Sequence, residues 1–252
     1  MRPNQTKKLL SMGRPAIGTF CTGASALIAE ALGHSGYDFV IVDMQHGENS
    51  LGNLQGMLQS LSATPTTPLV RVPANMPVYI QRSLDLGAYG VIVPLVNTRD
   101  EAEAIIQSVR YAPVGSRSWG PIRGALYAGS DYFAKSHEEL LTIVMLETAD
   151  GLKNAKSILS VPGVDGCFIG ANDLSVSLGF SSEMAELPPK VEEAILAIRD
   201  AAQAAGKAPG IQVFSADAAN ARIAQGFRFV SVQSDFRMVR VTAAETLRAI
   251  KR

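Results

Sequence analysis

The amino-acid sequence predicts a (β/α)8 barrel of the TIM type, and three observations support this prediction. Short apolar runs alternate with longer amphipathic runs in eight strand-helix pairs, the pattern of a parallel sheet with right-handed crossovers. The length of 252 residues suits a single barrel, which commonly has about 250 residues. No glycine-rich dinucleotide-binding motif follows the first strand, which argues against an open doubly wound sheet. We find no linker and expect one domain over residues 1–252.

The predicted strands are apolar at consecutive positions, as expected for parallel strands that are buried on both faces. In chain order they are AIGTF, DFVIVDM, PLVRVP, GVIVPLV, LTIVMLE, VDGCFIG, APGIQVF and FRFVSVQ. The amphipathic runs that follow them are SALIAEALGHSG, LGNLQGMLQSL, VYIQRSLDLG, DEAEAIIQSVRY, GLKNAKSILS, VEEAILAIRDAAQAAG, ADAANARIAQG and VTAAETLRAIKR. Several glycines are placed to end helices in the left-handed conformation, namely Gly33, Gly36, Gly87, Gly206 and Gly226.

Two connections are longer than a minimal barrel needs, and long ordered loops are usually functional. Residues 111–140 lie between the fourth helix and the fifth strand, and residues 177–190 follow the sixth strand. The second connection therefore starts on the face where the strands end. The first starts from the opposite rim, so any active site that it reaches belongs to a neighbouring chain.

The composition favours a globular protein that binds a small molecule. Hydrophobic residues make up 47% of the chain, which is enough for a large core. Basic and acidic residues number 23 each, without a basic tract, which argues against nucleic acid as a partner. No run is long enough to span a membrane, and the first residues lack the apolar segment of a signal peptide. We therefore expect a cytoplasmic protein without a membrane partner, in which Cys21 and Cys167 are buried free thiols.

The candidate site residues are the polar residues that end the apolar runs, because the active site of this fold forms at the carboxyl ends of the strands. They are Asp43, Gln45 and His46 after the second strand, Arg71 in the third, Glu147 after the fifth, and Gly170, Ala171, Asn172 and Asp173 after the sixth. The spacing of these groups is close to one strand-helix unit, so they should share one rim of the barrel.

Glu147 and Asp173 should converge at adjacent strand ends, where two carboxylates repel each other unless a cation intervenes. Two protein oxygens completed by water and substrate suit a hard divalent ion such as Mg2+ or Mn2+. The chain has only three histidines, which argues against a histidine-rich zinc site. We therefore predict a metal site. The alternative is that Asp173 caps the next helix and that Glu147 forms an ion pair with Arg71.

Three further groups at this rim are suited to chemistry. His46 can accept or donate a proton at neutral pH; alternatively it is a hydrogen-bonded histidine in a strand-helix loop. Arg71 can stabilise an enolate oxygen; alternatively it forms an internal ion pair with Asp43 or Glu147. The turn at residues 170–173 presents backbone N–H groups at the start of a helix, which can hold a carboxylate.

Several segments together resemble one known family. DFVIVDMQHG, PLVRVP, SLDLGAYGVIVPLV, VMLET and GVDGCFIGANDLS occur in the order found in the class II pyruvate aldolases related to 2,4-dihydroxyhept-2-ene-1,7-dioate aldolase, 2-dehydro-3-deoxyglucarate aldolase and macrophomate synthase. The resemblance covers residues 15–240. It implies a barrel of the phosphoenolpyruvate/pyruvate-binding type and a homo-oligomer, a hexamer or a trimer, in which the last helix can be exchanged with a neighbour.

The resemblance also implies the reaction, which is reversible retro-aldol cleavage of a 4-hydroxy-2-oxo acid to pyruvate and an aldehyde through a metal-stabilised pyruvate enolate. A divalent cation, Mg2+, Mn2+ or Co2+, would be held by Glu147 and Asp173. Backbone groups around Gly170, Ala171 and Asn172 would hold pyruvate. Arg71 would bind the ketone oxygen, His46 would transfer protons in a pair with Asp85, and Asp43 would lie behind them.

Some positions depart from the family pattern. Gln45 replaces a frequent glutamate, Met145 replaces a glutamine that contacts pyruvate, and Gln212 replaces an aliphatic residue. We hypothesise that Gln212 restores the lost substrate hydrogen bond; alternatively its amide is satisfied by neighbouring backbone. We also hypothesise that Trp119 lines a neighbouring subunit's pocket. Asp85 precedes a helix-ending glycine and should therefore lie on the rim opposite the site.

Two other functions compete with the aldolase. A lyase of the citrate lyase or malyl-CoA type uses a related barrel and metal carboxylates but needs a coenzyme A site, and no basic helix suits its phosphates. A non-catalytic barrel that binds a 2-oxo acid as a sensor or scaffold would bind metal and pyruvate without turnover. Proton exchange from the methyl group of pyruvate would separate an enzyme from such a binding protein.

Overall fold

Eight parallel strands close into a barrel in which each strand pairs with its neighbours in the chain and the last pairs with the first. The computed structural model describes residues 1–181 and 186–251. Within them the strands are β1 (Ala16–Cys21), β2 (Phe39–Asp43), β3 (Thr67–Arg71), β4 (Gly90–Val93), β5 (Leu141–Leu146), β6 (Gly166–Ile169), β7 (Ala208–Val213) and β8 (Phe229–Ser234). Each strand overlaps one of the predicted runs, which confirms the predicted (β/α)8 barrel.

Helices surround the barrel, and all but the first and the last of those described lie between consecutive strands. In the described residues they are α1 (Gln5–Ser11), α2 (Ala26–Gly33), α3 (Leu51–Ser62), α4 (Pro77–Asp85), α5 (Arg99–Val109), α6 (Ile122–Ala128), α7 (Tyr132–Glu139), α8 (Ala149–Lys153), α9 (Ala155–Leu159), α10 (Ala171–Ser177), α11 (Pro189–Ala204), α12 (Ala216–Ala224) and α13 (Asp235–Ala249). No helix among these residues is long and apolar enough to cross a membrane.

Residues 111–140 contain two helices, α6 and α7, so the expectation of a long loop is wrong there. The pattern is hard to recognise because the apolar residues Ile122 and Leu126 of α6 are 88% and 84% exposed and do not follow a core-facing period. In the second long connection, residues 177–190, positions 182–185 lie outside the described residues.

Aromatic rings fill the interior of the barrel. The rings of Phe39 and Phe229 stack with centroids 4.2 Å apart, and Phe20 meets Phe168 edge to face at 5.8 Å. These large side chains need small neighbours on adjacent strands, since a Cβ added at Gly18 would overlap the ring of Phe39. The interior is therefore a packed core, and ligands can bind only at its ends.

Most of the glycines that were predicted to end helices do follow helices in the left-handed conformation. Gly36, Gly87, Gly206 and Gly226 have positive φ and follow helices. Gly33 does not have this role because it is the last residue of α2, where a Cβ would meet the Thr64 hydroxyl at 2.6 Å. Close packing, not backbone conformation, accounts for glycine at that position.

Candidate active site

The strand ends bring most of the predicted site residues to one cavity of about 170 Å³ at the carboxyl end of the barrel, but Asp43, Gln45 and Glu147 are not among its lining residues. The predicted residues that line it are His46, Arg71, Gly170, Ala171, Asn172, Asp173 and Gln212. Its other lining residues are Met145, Phe168, Ile169 and Phe214. The cavity thus combines charged groups with an apolar wall, as small-molecule sites usually do.

A larger cavity, of about 470 Å³, lies at the opposite end of the barrel beside α1. Two of its basic residues, Lys7 and Arg228, make structural contacts. Lys7 donates to the carbonyl of Leu140 and forms an ion pair with Asp165, and Arg228 donates to the carbonyls of Ile223 and Phe227. This end of a barrel contributes stability rather than chemistry, so we assign the active site to the smaller cavity.

Arg71 is held in place by a buried carboxylate. Its Nε lies 2.8 Å from Oδ1 of Asp43 and its Nη2 lies 2.6 Å from Oδ2, while Asp43 is only 1% exposed. The guanidinium also lies over the ring of Phe20, with Cζ 4.7 Å from the centroid. The internal ion pair considered as an alternative is therefore present, but Arg71 still lines the cavity and keeps further N–H donors for a ligand.

The same carboxylate shapes the loop that carries His46. Oδ1 of Asp43 accepts the backbone N–H of Gln45 at 3.0 Å and that of His46 at 3.4 Å. The amide of Asn49 donates to the carbonyls of Asp43 and Cys21. His46 lines both the central cavity and an adjoining one of about 300 Å³ between the ends of β1, β2 and β8. His46 thus stands where the two cavities meet.

Glu147 follows β5 and is 2% exposed. Its Oε1 accepts the backbone N–H of Leu95 at 2.8 Å. Leu95 has a φ of 55°, a conformation that costs a non-glycine residue about 1–2 kcal/mol and that is found preferentially at functional sites. A Cβ added at Gly170 would overlap Oε2 of Glu147, so glycine is needed where the turn after β6 passes this carboxylate.

The surroundings of Glu147 fit a divalent cation. Burial raises the pKa of its carboxyl and the charge of Asp173 raises it too, whereas the Leu95 N–H and the Arg71 charge act in the opposite direction. A cation between the two carboxylates would relieve both unfavourable effects. No group of three His, Cys, Asp or Glu side chains suited to a metal occurs in the described part of the chain, so the remaining ligands would be water and substrate oxygens.

Asp85 and Trp119 do not reach this cavity within one chain. Asp85 ends α4 and forms an ion pair at 2.7 Å with the buried Arg117, so its pairing with His46 is not formed within the chain. Trp119 packs against Tyr111 and Phe133 and is 59% exposed. The Arg117 ion pair ties the segment that carries Trp119 to the end of α4. Any contact of either residue with an active site would be with that of another chain.

Some site residues were not predicted from the sequence. Phe20 lies against the Arg71 guanidinium, Leu95 donates to Glu147, and Phe214 lines the cavity. Of the three, Phe214 had a signal, since it ends the seventh apolar run. Gln212 lines the cavity as expected, and its Nε2 donates to the backbone carbonyl of Gln233 at 3.2 Å. At least one N–H of the Gln212 side-chain amide is therefore satisfied by backbone, as in the alternative given above.

Comparison with known proteins agrees with this geometry. The model of the HpcH/HpaI aldolase/citrate lyase family matches residues 16–241. The hydroxypyruvate/pyruvate aldolase of Rhizorhabdus wittichii is 38% identical over 244 residues, which cover 97% of each chain. The 4-hydroxy-2-oxo-heptane-1,7-dioate aldolase of Shigella sonnei is 36% identical over 254 residues, which cover 98% of this chain and 94% of that protein.

Solved structures share the whole fold. An HpcH/HpaI aldolase/citrate lyase family protein from Burkholderia cenocepacia matches with a TM-score of 0.91 at 31% identity, over 97% of this chain and 98% of that chain. Macrophomate synthase matches with a TM-score of 0.85 at 25% identity, over 98% and 88%. The protein CitE from Mycobacterium tuberculosis, in complex with magnesium and pyruvate, matches with a TM-score of 0.61 at 19% identity, over 87% and 85%. That last likeness concerns the fold alone.

Proposed function

Because the chain belongs to the HpcH/HpaI aldolase/citrate lyase family, and is therefore a carbon–carbon lyase, we propose that it cleaves a 4-hydroxy-2-oxo acid into pyruvate and an aldehyde, in a reversible aldol reaction. Relatives with more than a third of their residues identical over nearly the full chain have aldolase names. This agrees with the resemblance to class II pyruvate aldolases that the sequence motifs indicate.

One observation supports the proposal most directly, the convergence of Arg71, His46 and Asp173 on one small cavity beside the buried Glu147. A 2-oxo acid is an anion with two neighbouring oxygens that can chelate a cation. It needs a positive group for the oxygen that becomes negative and a proton acceptor near the bond that breaks. The cavity offers both kinds of group within the reach of one small substrate.

Glu147 and Asp173 would hold a divalent cation, Mg2+, Mn2+ or Co2+, which supplies a Lewis acid for the charge that develops on the 2-oxo oxygen. The buried Glu147 carboxylate and the space kept free by Gly170 support this assignment. Arg71 would donate to the same oxygen of the substrate. Backbone groups of Gly170, Ala171 and Asn172 would bind the carboxylate of the 2-oxo acid, since all three residues line the cavity.

His46 would accept the proton of the C4 hydroxyl, directly or through water. As the C3–C4 bond breaks, C4 becomes the aldehyde carbon and the electron pair passes to C3 and the 2-oxo oxygen. Uptake of one proton at C3 then gives the methyl group of pyruvate. The exposed position of His46 at the junction of two cavities supports this role, because the imidazole can exchange its proton with solvent between turnovers.

We further propose a homo-oligomer, a hexamer or a trimer. Every residue of α13 is described, and only Asp235 among them is buried, while Phe236, Val239 and Leu247 are more than half exposed. Exposed apolar surface of this extent usually marks an interface. An exchange of α13 with a neighbour would cover it. In such an assembly Asp85 and Trp119 would meet the site of another chain and help to shape its aldehyde end.

A panel of 4-hydroxy-2-oxo acids tests the proposed reaction. Release of pyruvate should be measured with each acid, with and without a chelator, and after addition of Mg2+, Mn2+ or Co2+. We expect cleavage of at least part of the panel only when a metal is present. Metal-dependent binding of pyruvate without exchange of its methyl protons and without cleavage would instead indicate a binding protein.

A further inference from the structure

The end of β7 forms one wall of the active-site cavity, in which Gln212 has a hypothesised hydrogen bond to the substrate and Phe214 has no assigned role. The proposed metal ligands follow β5 and β6, and Arg71 and His46 belong to β3 and the end of β2. These groups surround the 2-oxo acid and the bond that breaks. Of the other lining residues, Met145, Phe168 and Ile169 belong to β5 and β6, whereas Gln212 and Phe214 come from the end of β7. The distal end of an acceptor aldehyde, which the first groups would not hold, would meet this wall.

A guanidinium lies against this wall. Arg237, in the first turn of α13, has its Cζ 4.6 Å from the centroid of the Phe214 ring. Its Nε is buried and has no hydrogen-bond partner among the described residues. No carboxylate in that part of the chain forms an ion pair with Arg237. A partly buried guanidinium without a partner is costly, unless an anion binds to it.

Hydrogen bonds join the backbone segments that carry Arg237 and Phe214. Gln233 donates from Nε2 to the carbonyl of Phe214 at 2.7 Å and accepts at its own carbonyl from Gln212 at 3.2 Å. The backbone N–H of Arg237 donates to the hydroxyl of Ser234 at 3.3 Å. The end of β7 and the start of α13 are thus joined by polar contacts, and the wall is formed before a substrate binds.

Two carboxylates at the ends of the strands have partners other than Arg237. The Asp43 carboxylate pairs with Arg71. The Asp235 carboxylate accepts hydrogen bonds from the N–H and hydroxyl of Thr22 and from the N–H of Gly23, on the side of β1. Arg237, which contacts the Phe214 ring of the cavity wall, is therefore left without a paired carboxylate among the described residues.

We propose that Arg237 is a specificity-determining residue that binds an anionic group, a carboxylate or a phosphate, at the distal end of the acceptor aldehyde. The inference rests on the proposed aldolase function. Arg237 would contact only the distal anion. For every acceptor, the same bond forms between C3 of pyruvate and the aldehyde carbon, with the same proton transfers. The preference therefore arises from binding and orientation of the acceptor.

Matched pairs of aldehydes test this proposal. In aldol addition to pyruvate, 4-oxobutanoate is compared with butanal, and glyceraldehyde 3-phosphate with glyceraldehyde, so that each pair differs in the terminal anion. The enzyme should prefer the charged member of at least one pair, and the pair that responds identifies carboxylate or phosphate. Arg237→Gln should lower the ratio of kcat/KM values, charged over neutral, by at least about tenfold, since a hydrogen bond to a charged group is worth roughly that factor or more.

Two further variants make the test specific. Arg237→Lys keeps the charge without the planar fork and should retain part of the preference. Arg240→Gln removes an exposed arginine from the same helix and should leave the ratio unchanged. A wild-type enzyme without preference for either anion, or an unchanged ratio in Arg237→Gln, would overturn the proposal. A smaller assembly of Arg237→Gln in size-exclusion chromatography, with an unchanged ratio, would assign Arg237 to a subunit contact instead.

Proton exchange from the methyl group of pyruvate separates this inference from the function on which it rests. If the wild-type enzyme exchanges these protons and adds pyruvate to aldehydes, but Arg237→Gln leaves the ratio unchanged, only the role of Arg237 is wrong. If the metal-loaded wild-type enzyme neither exchanges protons nor forms product with any aldehyde, the aldolase function fails and the specificity proposal fails with it.

Discussion

Asp43 links the two groups to which we assign chemistry on the substrate. Its carboxylate pairs with Nε and Nη2 of Arg71 and accepts the backbone N–H of His46. Removal of one partner from a buried ion pair leaves the other charge uncompensated. The alternatives for Arg71, an internal ion pair or a substrate contact, therefore do not exclude each other. The ion pair orients the guanidinium toward the cavity.

His46→Ala should reduce cleavage strongly while pyruvate and metal still bind. A general base typically contributes about 10²- to 10⁴-fold to the rate, and the metal carboxylates and Arg71 remain in this variant. We expect kcat to fall by roughly that factor, with little change in the dissociation constant of pyruvate. Steady-state kinetics and calorimetric titration with pyruvate in the presence of Mg2+ measure the two quantities.

His34→Ala is the matched control, since His34 is exposed at the end of α2 and has no assigned role. Its kinetics should resemble those of the wild type. If His46→Ala weakens pyruvate binding by the same factor as it lowers kcat, His46 is a binding residue and another group transfers the proton.

The elements that the sequence predicts well are those whose apolar residues face the core. All eight strands bury consecutive side chains, so their runs stand out in the sequence. The helix α6 exposes Ile122 and Leu126, and a pattern that faces away from the core could not be assigned to an element. Residues 111–140 were therefore expected to form a loop.

Part of the candidate site could likewise be predicted from the sequence, and part could not. His46, Arg71 and Asp173 could be placed on one rim because position along a strand determines which end a residue reaches. The contact between Leu95 and Glu147 could not be predicted, because it depends on the left-handed backbone of Leu95. The contact of Arg237 with the Phe214 ring likewise depends on how β7 and α13 lie against each other, which no local pattern specifies.

The start of α13 is joined to the end of β1 by Asp235. This carboxylate is 5% exposed and accepts hydrogen bonds from Thr22 and Gly23. Burial by itself would raise the pKa of Asp235, but hydrogen bonds from Thr22, Gly23 and Phe236 outweigh it, so the net shift is downward. The charged form is thus favoured in the folded protein, and ionisation of Asp235 stabilises the fold.

Asp235→Asn should lower the free energy of unfolding by roughly 1.5–3 kcal/mol at pH 7, the usual range for hydrogen bonds to a charged group. Because the folded-state pKa is depressed, this contribution is present above the ordinary carboxyl pKa, about 3.9, and is lost as the pH falls through the folded-state pKa. Urea unfolding of wild type and variant at several pH values measures the difference.

The control for this prediction is Asp217→Asn, since Asp217 occupies the first turn of α12 and is exposed. It should change the free energy of unfolding by no more than about 1 kcal/mol, the upper end of such helix-end effects at a surface. If the difference in the free energy of unfolding between wild type and Asp235→Asn grows on acidification, it has the wrong sign. Ionised Asp235 would then not stabilise the fold.

At the scale of the whole molecule, the apolar surface around α6 is expected to lie between chains. Ile122, Leu126 and Trp119 are 88%, 84% and 59% exposed, and the ion pair of Asp85 with Arg117 holds the segment next to them. This surface belongs to the rim opposite the cavity of its own chain. In the proposed oligomer it would complete the active site of a neighbour.

Ile122→Asp should therefore dissociate the assembly, because a charge in an apolar interface is strongly unfavourable. Size-exclusion chromatography with light scattering should give a smaller mass than for the wild type, and cleavage should fall together with the mass. Gln55→Asp, at an exposed position of α3, controls for the added negative charge. A wild-type protein that is monomeric and fully active would contradict the proposed shared site.

Cleavage should depend on one divalent cation bound between Glu147 and Asp173, and a metal titration tests this most directly. Pyruvate release and calorimetric metal binding are measured on chelator-treated wild type, Glu147→Gln, Asp173→Asn and the exposed control Asp150→Asn. We expect no turnover in excess chelator and recovery with one Mg2+, Mn2+ or Co2+ per chain in wild type and control. Both carboxylate variants should need far more metal or stay inactive, since Lewis-acid stabilisation is worth several kcal/mol and each 1.36 kcal/mol is about tenfold in rate. Full turnover in excess chelator, with a lysine trapped as a Schiff base by borohydride, would contradict the metal mechanism.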